Sequence, residues 1–309
     1  MSVEKKKKHT GLKVVGGLLG ATAAAYSGFS YVIFRNAFDL KNSAIHKTKH
    51  LIHTDEETEA WFSHSQKEDV YLTSYDGLRL HAMMVNNHES SDKWIIVVHG
   101  TGSSFKNMLQ IMHEADLREY NILALDQRGC GESEGKYTGL GWNEHYDVIS
   151  WINWLIRKYH TCKIALYGVN TGGAAVMNAC GDYLASNVKC AVEDGSYSGI
   201  QEMMNHAVRT ILNVDAKLFM PAVNLLVQKF LHFSLHDVSF HRQLKQAEIP
   251  MLFVHGSEDE TVPASMVFDN YYACASEKEL YIVEGKGYGN TATAPDYCNV
   301  VFAFIDKNM

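Results

Sequence analysis

The chain lacks paired cysteines, metal-ligand spacing, a phosphate-cradling glycine pattern after a strand, and any basic surplus beyond its first residues. Each absence excludes something. Its six cysteines (Cys130, Cys162, Cys180, Cys190, Cys274, Cys298) are scattered without a C-x-x-C pair, and 309 residues need no disulfide framework, so they read as buried or half-buried free thiols. With no His/Cys/Asp cluster and no G-x-G-x-x-G following a strand, neither a metal nor an organic cofactor is expected. His46, His50 and His53 stand close together, but in a polar stretch without acidic partners, and read as solvated. Residues 1–13 hold five Lys and one Glu, which leaves 23 basic and 34 acidic residues in the remainder, a net −11. A domain so acidic excludes nucleic acid as a partner. No internal repeat or low-complexity tract follows the leader.

Four consecutive lysines, Lys5 to Lys8, precede an uncharged apolar stretch at 14–34. As a helix it would rise about 31 Å, matching a hydrocarbon core of roughly 30 Å. The expectation is a basic segment over 1–13, a single-pass transmembrane anchor over 14–34 and a linker or helical lead-in over 35–68. The domain would then occupy 69–309, on the extracytoplasmic side of a cell membrane. A cleaved signal peptide is the competing reading, with Ala23-Ala24-Ala25 as its processing site. Against cleavage, the apolar run continues through Phe29, Tyr31, Val32, Ile33 and Phe34.

Beyond residue 69, strand-like runs alternate with helical patterns, which predicts a mostly parallel central sheet with helices on both faces. Residues 70–74 and 78–85 flank the turn signal Asp76-Gly77. Short apolar runs at 94–98, 122–125, 164–167, 188–192, 251–254 and 280–283 have the character of buried parallel strands. Helices are predicted at 108–118, 142–159, 171–183, 264–275 and 295–307. The stretch 200–246 breaks the rhythm, helical throughout, and reads as an inserted lid.

Three motifs each follow one of these strands. His99-Gly100-Thr101-Gly102 comes first, Asp126-Gln127-Arg128-Gly129-Cys130-Gly131-Glu132-Ser133 second, and His255-Gly256-Ser257-Glu258-Asp259-Glu260-Thr261-Val262-Pro263 last. With a fourth, Gly168-Val169-Asn170-Thr171-Gly172, they give residues 55–309 the pattern of the α/β-hydrolases. Within that superfamily the chain resembles the membrane-anchored bacterial serine-aminopeptidase-like branch. The resemblance implies the α/β-hydrolase fold, an oxyanion hole made by the backbone N–H groups of Thr101 and Thr171, and Asp259 as the triad acid.

Two positions depart from the pattern. The elbow G-x-S-x-G places a nucleophile on a tight strand-to-helix turn. Here its glycines remain, but Asn170 stands where the Ser belongs, and an amide is no nucleophile at neutral pH. The late segment resembling E-G-A-G-H-G reads Glu284-Gly285-Lys286-Gly287-Tyr288-Gly289, with Tyr288 at the position of the base. No His follows His255 anywhere in the chain. A literal G-x-S-x-G does occur at Gly131-Glu132-Ser133-Glu134-Gly135, but no strand enters it and two Glu would oppose an alkoxide. The sequence therefore implies a catalytically impaired hydrolase homologue that keeps a pocket for an unknown small-molecule or protein ligand. The alternative is an active hydrolase of ester or amide bonds using non-standard residues. Dehalogenases and epoxide hydrolases use an Asp at the elbow, although Asn170 precedes Thr, which slows deamidation, and those enzymes still need a His.

Overall fold

Strand β3 (Lys93–Val98) shows how the sheet is built. Trp94, Ile96 and Val98 enter one apolar cluster while Ile95 and Val97 enter a second on the opposite side. A continuous apolar run buried on both faces is what a strand inside a two-sided parallel sheet requires. The computed structural model describes residues 22, 24–41 and 54–309. Its eight strands, numbered in chain order, lie side by side as β1-β2-β4-β3-β5-β6-β7-β8. The hairpin β1 (Lys67–Thr73) and β2 (Arg79–Val85) turns at Asp76-Gly77, where Gly77 takes φ 90°. β2 pairs antiparallel with β4 (Asn121–Leu125); every later pairing, through β5 (Lys163–Val169), β6 (Val188–Asp194), β7 (Met251–Gly256) and β8 (Lys278–Val283), is parallel.

Helices α2 (Glu56–His64), α3 (Leu109–Asp116) and α10 (Tyr297–Asn308) supply the apolar cluster on one face of the sheet. The other face is covered by α4 (Trp142–Lys158), α5 (Thr171–Cys180), α8 (Phe240–Gln246) and α9 (Ser265–Ala273). The expected lid is smaller than 200–246. Only α6 (Ile200–Leu212), a 3₁₀ turn at Ala216–Leu218 and α7 (Met220–Leu231) form the cap. α8 belongs to the body: a Cβ on Gly181, at the end of α5, would lie 2.5 Å from the Cα of Gln243.

The N-terminal region differs more. Residues 24–38 form one helix, α1, which runs across the boundary expected at 34–35. Phe34 and Phe38 are buried, and Phe34 packs on Tyr137 and Phe230 with ring centroids 5.7 and 5.5 Å away. Phe29 meets Phe219 at 4.6 Å, and the Tyr26 hydroxyl donates to the Leu218 carbonyl at 3.0 Å. Thr138 N–H then donates to Phe38 O at 2.9 Å, and residue 39 bridges to Tyr137. Hydropathy cannot tell an apolar face made for lipid from one made for protein, and the second half of the 14–34 stretch packs on the cap. The rest of that stretch, the basic segment, and His46, His50 and His53 lie outside the described residues. Among the described residues no helix is long and apolar enough to cross a membrane. In the described part of the lead-in from residue 54 on, α2 docks on α3, with Trp61 Nε1 donating to Asp116 at 2.8 Å.

Burying an aromatic such as Phe34 contributes roughly 1.5–3 kcal/mol. The Phe34→Ala variant should therefore release α1 while leaving the sheet intact. Hydrogen exchange should rise across 24–38 and stay unchanged in β3 and β5; equal acceleration in both would show that α1 is integral to the core.

Candidate active site

Three backbone segments meet at the C-terminal edge of the sheet, where β5 turns into α5. Asn170 is the turning residue, with φ 51° and ψ −116°, a combination L-residues rarely adopt and which costs about 1–3 kcal/mol. Glycines make the turn possible. A Cβ on Gly168 would lie 2.4 Å from the Gly172 carbonyl oxygen, and one on Gly172 would lie 2.2 Å from that of Val98. The Asn170 N–H donates to the Asp194 carbonyl at 2.8 Å, which ties the turn to the end of β6. The elbow geometry is thus complete around a side chain that cannot attack.

The expected oxyanion hole is altered. The backbone N–H of Thr101 does not stand open; it donates to Thr171 Oγ1 at 2.5 Å, and the Thr101 hydroxyl donates to the same atom at 2.6 Å. Sequence placed two backbone N–H groups here, but a β-branched hydroxyl at the first residue of α5 reaches back across the gap. An oxyanion would have to displace the Thr171 hydroxyl from the Thr101 N–H.

Asp259 follows β7. Its Oδ1 accepts from the N–H groups of Thr261 (2.9 Å) and Val262 (2.8 Å), while Oδ2 lies 3.6 Å from His255 Nε2. That ring nitrogen bonds to the Val262 carbonyl at 2.8 Å instead, so His255 braces the loop. Burial pushes the Asp259 carboxyl above the usual carboxylate range despite these donors. In Tyr288 burial acts first and the Asp259 charge second, and its phenol is pushed up to about 12. A group so reluctant to ionise holds its proton throughout the physiological range and accepts none from a neighbour.

Two cavities flank Asn170. The smaller, about 60 Å³, is lined by Asn170, Asp259, Asp194 and Thr291, with room for a few waters. Asp194 Oδ2 accepts from Thr291 Oγ1 and from the Tyr297 hydroxyl, both at 2.6 Å, and burial raises its carboxyl too. The larger cavity, about 340 Å³, has Thr101, Asn170, Thr171 and Tyr288 at its polar end and apolar walls from α1 and α6. Asn170 thus lines both cavities, with Asp259 on the smaller one and Tyr288 on the larger.

Comparison with known proteins agrees with this geometry. Residues 89–237 match the family model of the serine aminopeptidases, S33. The chain is 23% identical to the YqkD protein of Bacillus subtilis over 249 residues, covering 80% of this chain and 81% of that one. The YfhR protein of Escherichia coli K12 is 20% identical over 222 residues, 70% of this chain and 71% of its own length. Among solved structures, the esterase Pf2001 of Pyrococcus furiosus superposes with a TM-score of 0.66 at 20% identity, covering 84% of this chain and 95% of the esterase. Est1E of Butyrivibrio proteoclasticus, solved with ferulic acid bound, gives 0.59 at 17% identity, over 77% of this chain and 98% of its own. The chain has the α/β-hydrolase fold and resembles the S33 serine aminopeptidases over residues 89–237.

In this α/β hydrolase the literal G-x-S-x-G is structural. The Ser133 hydroxyl is buried, donating to the Asp126 carbonyl at 2.6 Å and accepting from His81 N–H at 2.8 Å. The surrounding loop is pinned by Arg128, whose Nε and Nη2 engage Asp147 at 2.7 and 2.8 Å. All six cysteines are free. Sequence reasoning missed Asp194, Thr291, Tyr297 and the whole contribution of α1. The pair Glu193-Asp194, following the apolar run Cys190-Ala191-Val192 at the end of β6, is the available signal, since carboxylates at that edge of a parallel sheet are rarely incidental.

Glu193 itself is fully buried beside the elbow, its Oε2 accepting from Ser196 N–H at 3.1 Å and its Oε1 without a partner among the described residues. Burial raises its carboxyl well above the usual range, so the folded chain holds this proton to a higher pH than the unfolded chain does. A raised folded pKa gives stability that is fully present in acid and drains away as pH climbs from the ordinary carboxylate range through the folded value. The Glu193→Gln variant loses this dependence. Its melting temperature relative to the parent should therefore climb steadily from pH 5 to pH 8, and a constant difference would show that Glu193 is ionised in the fold.

Proposed function

We propose that this α/β hydrolase is catalytically impaired and that its site serves ligand binding. One observation carries the reading: at the elbow tip stands an amide, at the base position a phenol held protonated, and across the oxyanion donor the hydroxyl of Thr171. Attack on an acyl carbon needs a deprotonated nucleophile, a proton acceptor and an open donor for the developing oxyanion. All three are compromised by side chains, on a backbone that keeps the shape for them.

Hydrolysis of small acyl esters should stand at background, a fluorophosphonate probe should label nothing, and Ser133→Ala should change neither result. The double change Asn170→Ser with Tyr288→His should restore measurable esterase activity, and either change alone much less, because nucleophile and base act as a unit. Adding Thr171→Ala should raise turnover further, on the order of 10²-fold, the usual worth of one oxyanion donor. Robust turnover by the unmodified chain, abolished by Asn170→Ala, would defeat the reading.

A second reading, hydrolysis of ester or amide bonds by non-standard residues, is favoured by the two buried carboxylates, Asp194 and Asp259, that line a water-sized cavity against Asn170. It requires turnover that falls in Asp259→Asn. Membrane association of the N-terminal segment, with the domain outside the cytoplasm, is a separate proposal supported by the Lys5–Lys8 cluster and the apolar residues after it. Alkaline carbonate should leave the full chain with the membrane fraction; release into the supernatant would remove the proposal.

A further inference from the structure

The larger cavity, about 340 Å³, sits at the lower end of the range for small-molecule sites. Its walls are apolar: Phe29 and Ile33 from α1 face Met204, Ala207 and Val208 from α6. Val32 and Ile211, which also line it, are exposed. Its polar groups are the hydroxyls of Thr101, Thr171 and Tyr288 and the amide of Asn170 around the elbow, together with Asn36, whose amide donates to the Val32 carbonyl at 2.9 Å, and Tyr197, whose hydroxyl donates to the Leu140 carbonyl at 3.0 Å. The shape asks for one apolar chain with a small polar head.

The charge of that head is decided by what surrounds Asn170. Of the residues that line either cavity, none is Lys, Arg or His, whereas Asp194 and Asp259 stand on the far side of Asn170. His206 of α6 lies near Asp259 but lines neither cavity, and its Nε2 is engaged with the Glu260 carbonyl at 3.1 Å. Of the two backbone donors expected to steady an anion, the Thr101 N–H is held by Thr171 Oγ1. That oxygen accepts from the Thr101 N–H, the Thr101 hydroxyl and, at 3.5 Å, Gln127 Nε2, which leaves its own proton to be donated elsewhere. A carboxylate brought here would be buried without a cation and beside two acids, an expensive arrangement. A hydroxyl or a primary amide would find hydrogen-bonding partners and incur no such penalty.

Building on the ligand-binding reading above, we propose that the site takes an uncharged single-chain amphiphile, its alkyl chain between α1 and α6 and an alcohol or amide head at Asn170 and Thr171, and that it rejects the corresponding fatty carboxylate. Thr171 is the residue that sets this selectivity.

Calorimetric titration of the full chain at pH 7.5 with octan-1-ol, octanamide and octanoate tests the proposal. The alcohol and the amide should each bind at least tenfold more tightly than octanoate. Ala207→Phe, or Val208→Phe should that variant not fold, should abolish binding of the alcohol by filling the chain channel; undiminished binding in the folded variant would place the ligand elsewhere and overturn the proposal. The pair Thr171→Ala with Asp259→Asn opens the Thr101 N–H and removes one acid, and should improve octanoate at least tenfold relative to octan-1-ol. Equal affinity of the parent for octanoate and octan-1-ol would overturn the selectivity while leaving the ligand-binding reading in place. Failure of all three compounds to bind the folded parent would remove that reading as well.

Discussion

The close approach of three backbones, the end of β3, the end of β5 and the start of α5, is the constraint on which the rest of the site depends. Gly168 and Gly172 let the segments come within reach that no Cβ tolerates, and the approach forces residue 170 into its strained positive-φ turn. That packing sets where α5 begins, and so where Thr171 stands. It also sets the distance across which Thr171 meets the Thr101 N–H. Nothing in this arrangement requires a particular side chain at 170. The same turn can therefore be built around a Ser or an Asn.

The electrostatic character of the site follows from the same economy of change. Hydrolases of this architecture handle negative charge, because an acyl-transfer intermediate carries it. Here burial works in the opposite direction. Glu193, Asp194 and Asp259 are all driven toward their neutral forms, and Tyr288 toward its protonated one. The region around Asn170 is thus polar yet averse to anions, a combination suited to hydrogen-bonded recognition of uncharged groups. The strained turn costs the fold stability, and its retention beside an amide is easiest to understand if the shape itself is used.

Most of the architecture was legible in the sequence because parallel strands buried on both faces leave unbroken apolar runs. Every strand expected from such a run is present within a residue or two, from 93–98 to 278–283. Asn170, Asp259 and Tyr288 could be placed on one sheet edge from chain order alone. Three things were not legible. The hydrogen bond from Thr101 to Thr171 depends on a rotamer, which no pattern encodes. The role of α8 as part of the body depends on its contact with Gly181 rather than on its composition. Above all, the apolar face of α1 carries the same residues whether it meets lipid or the aromatic surface of the cap, so hydropathy alone could not separate the two.

That last feature has a mechanical meaning for the chain. One wall of the larger cavity is a helix joined to the domain by residues 39–55, so the wall is a tethered ligand of its own domain, held at high effective concentration. Anything that fills the cavity adds contacts to that helix, and by linkage the filled state holds the helix more firmly than the empty one. A ligand in that cavity would thus act as a clamp on α1, a helix that lies outside the sheet.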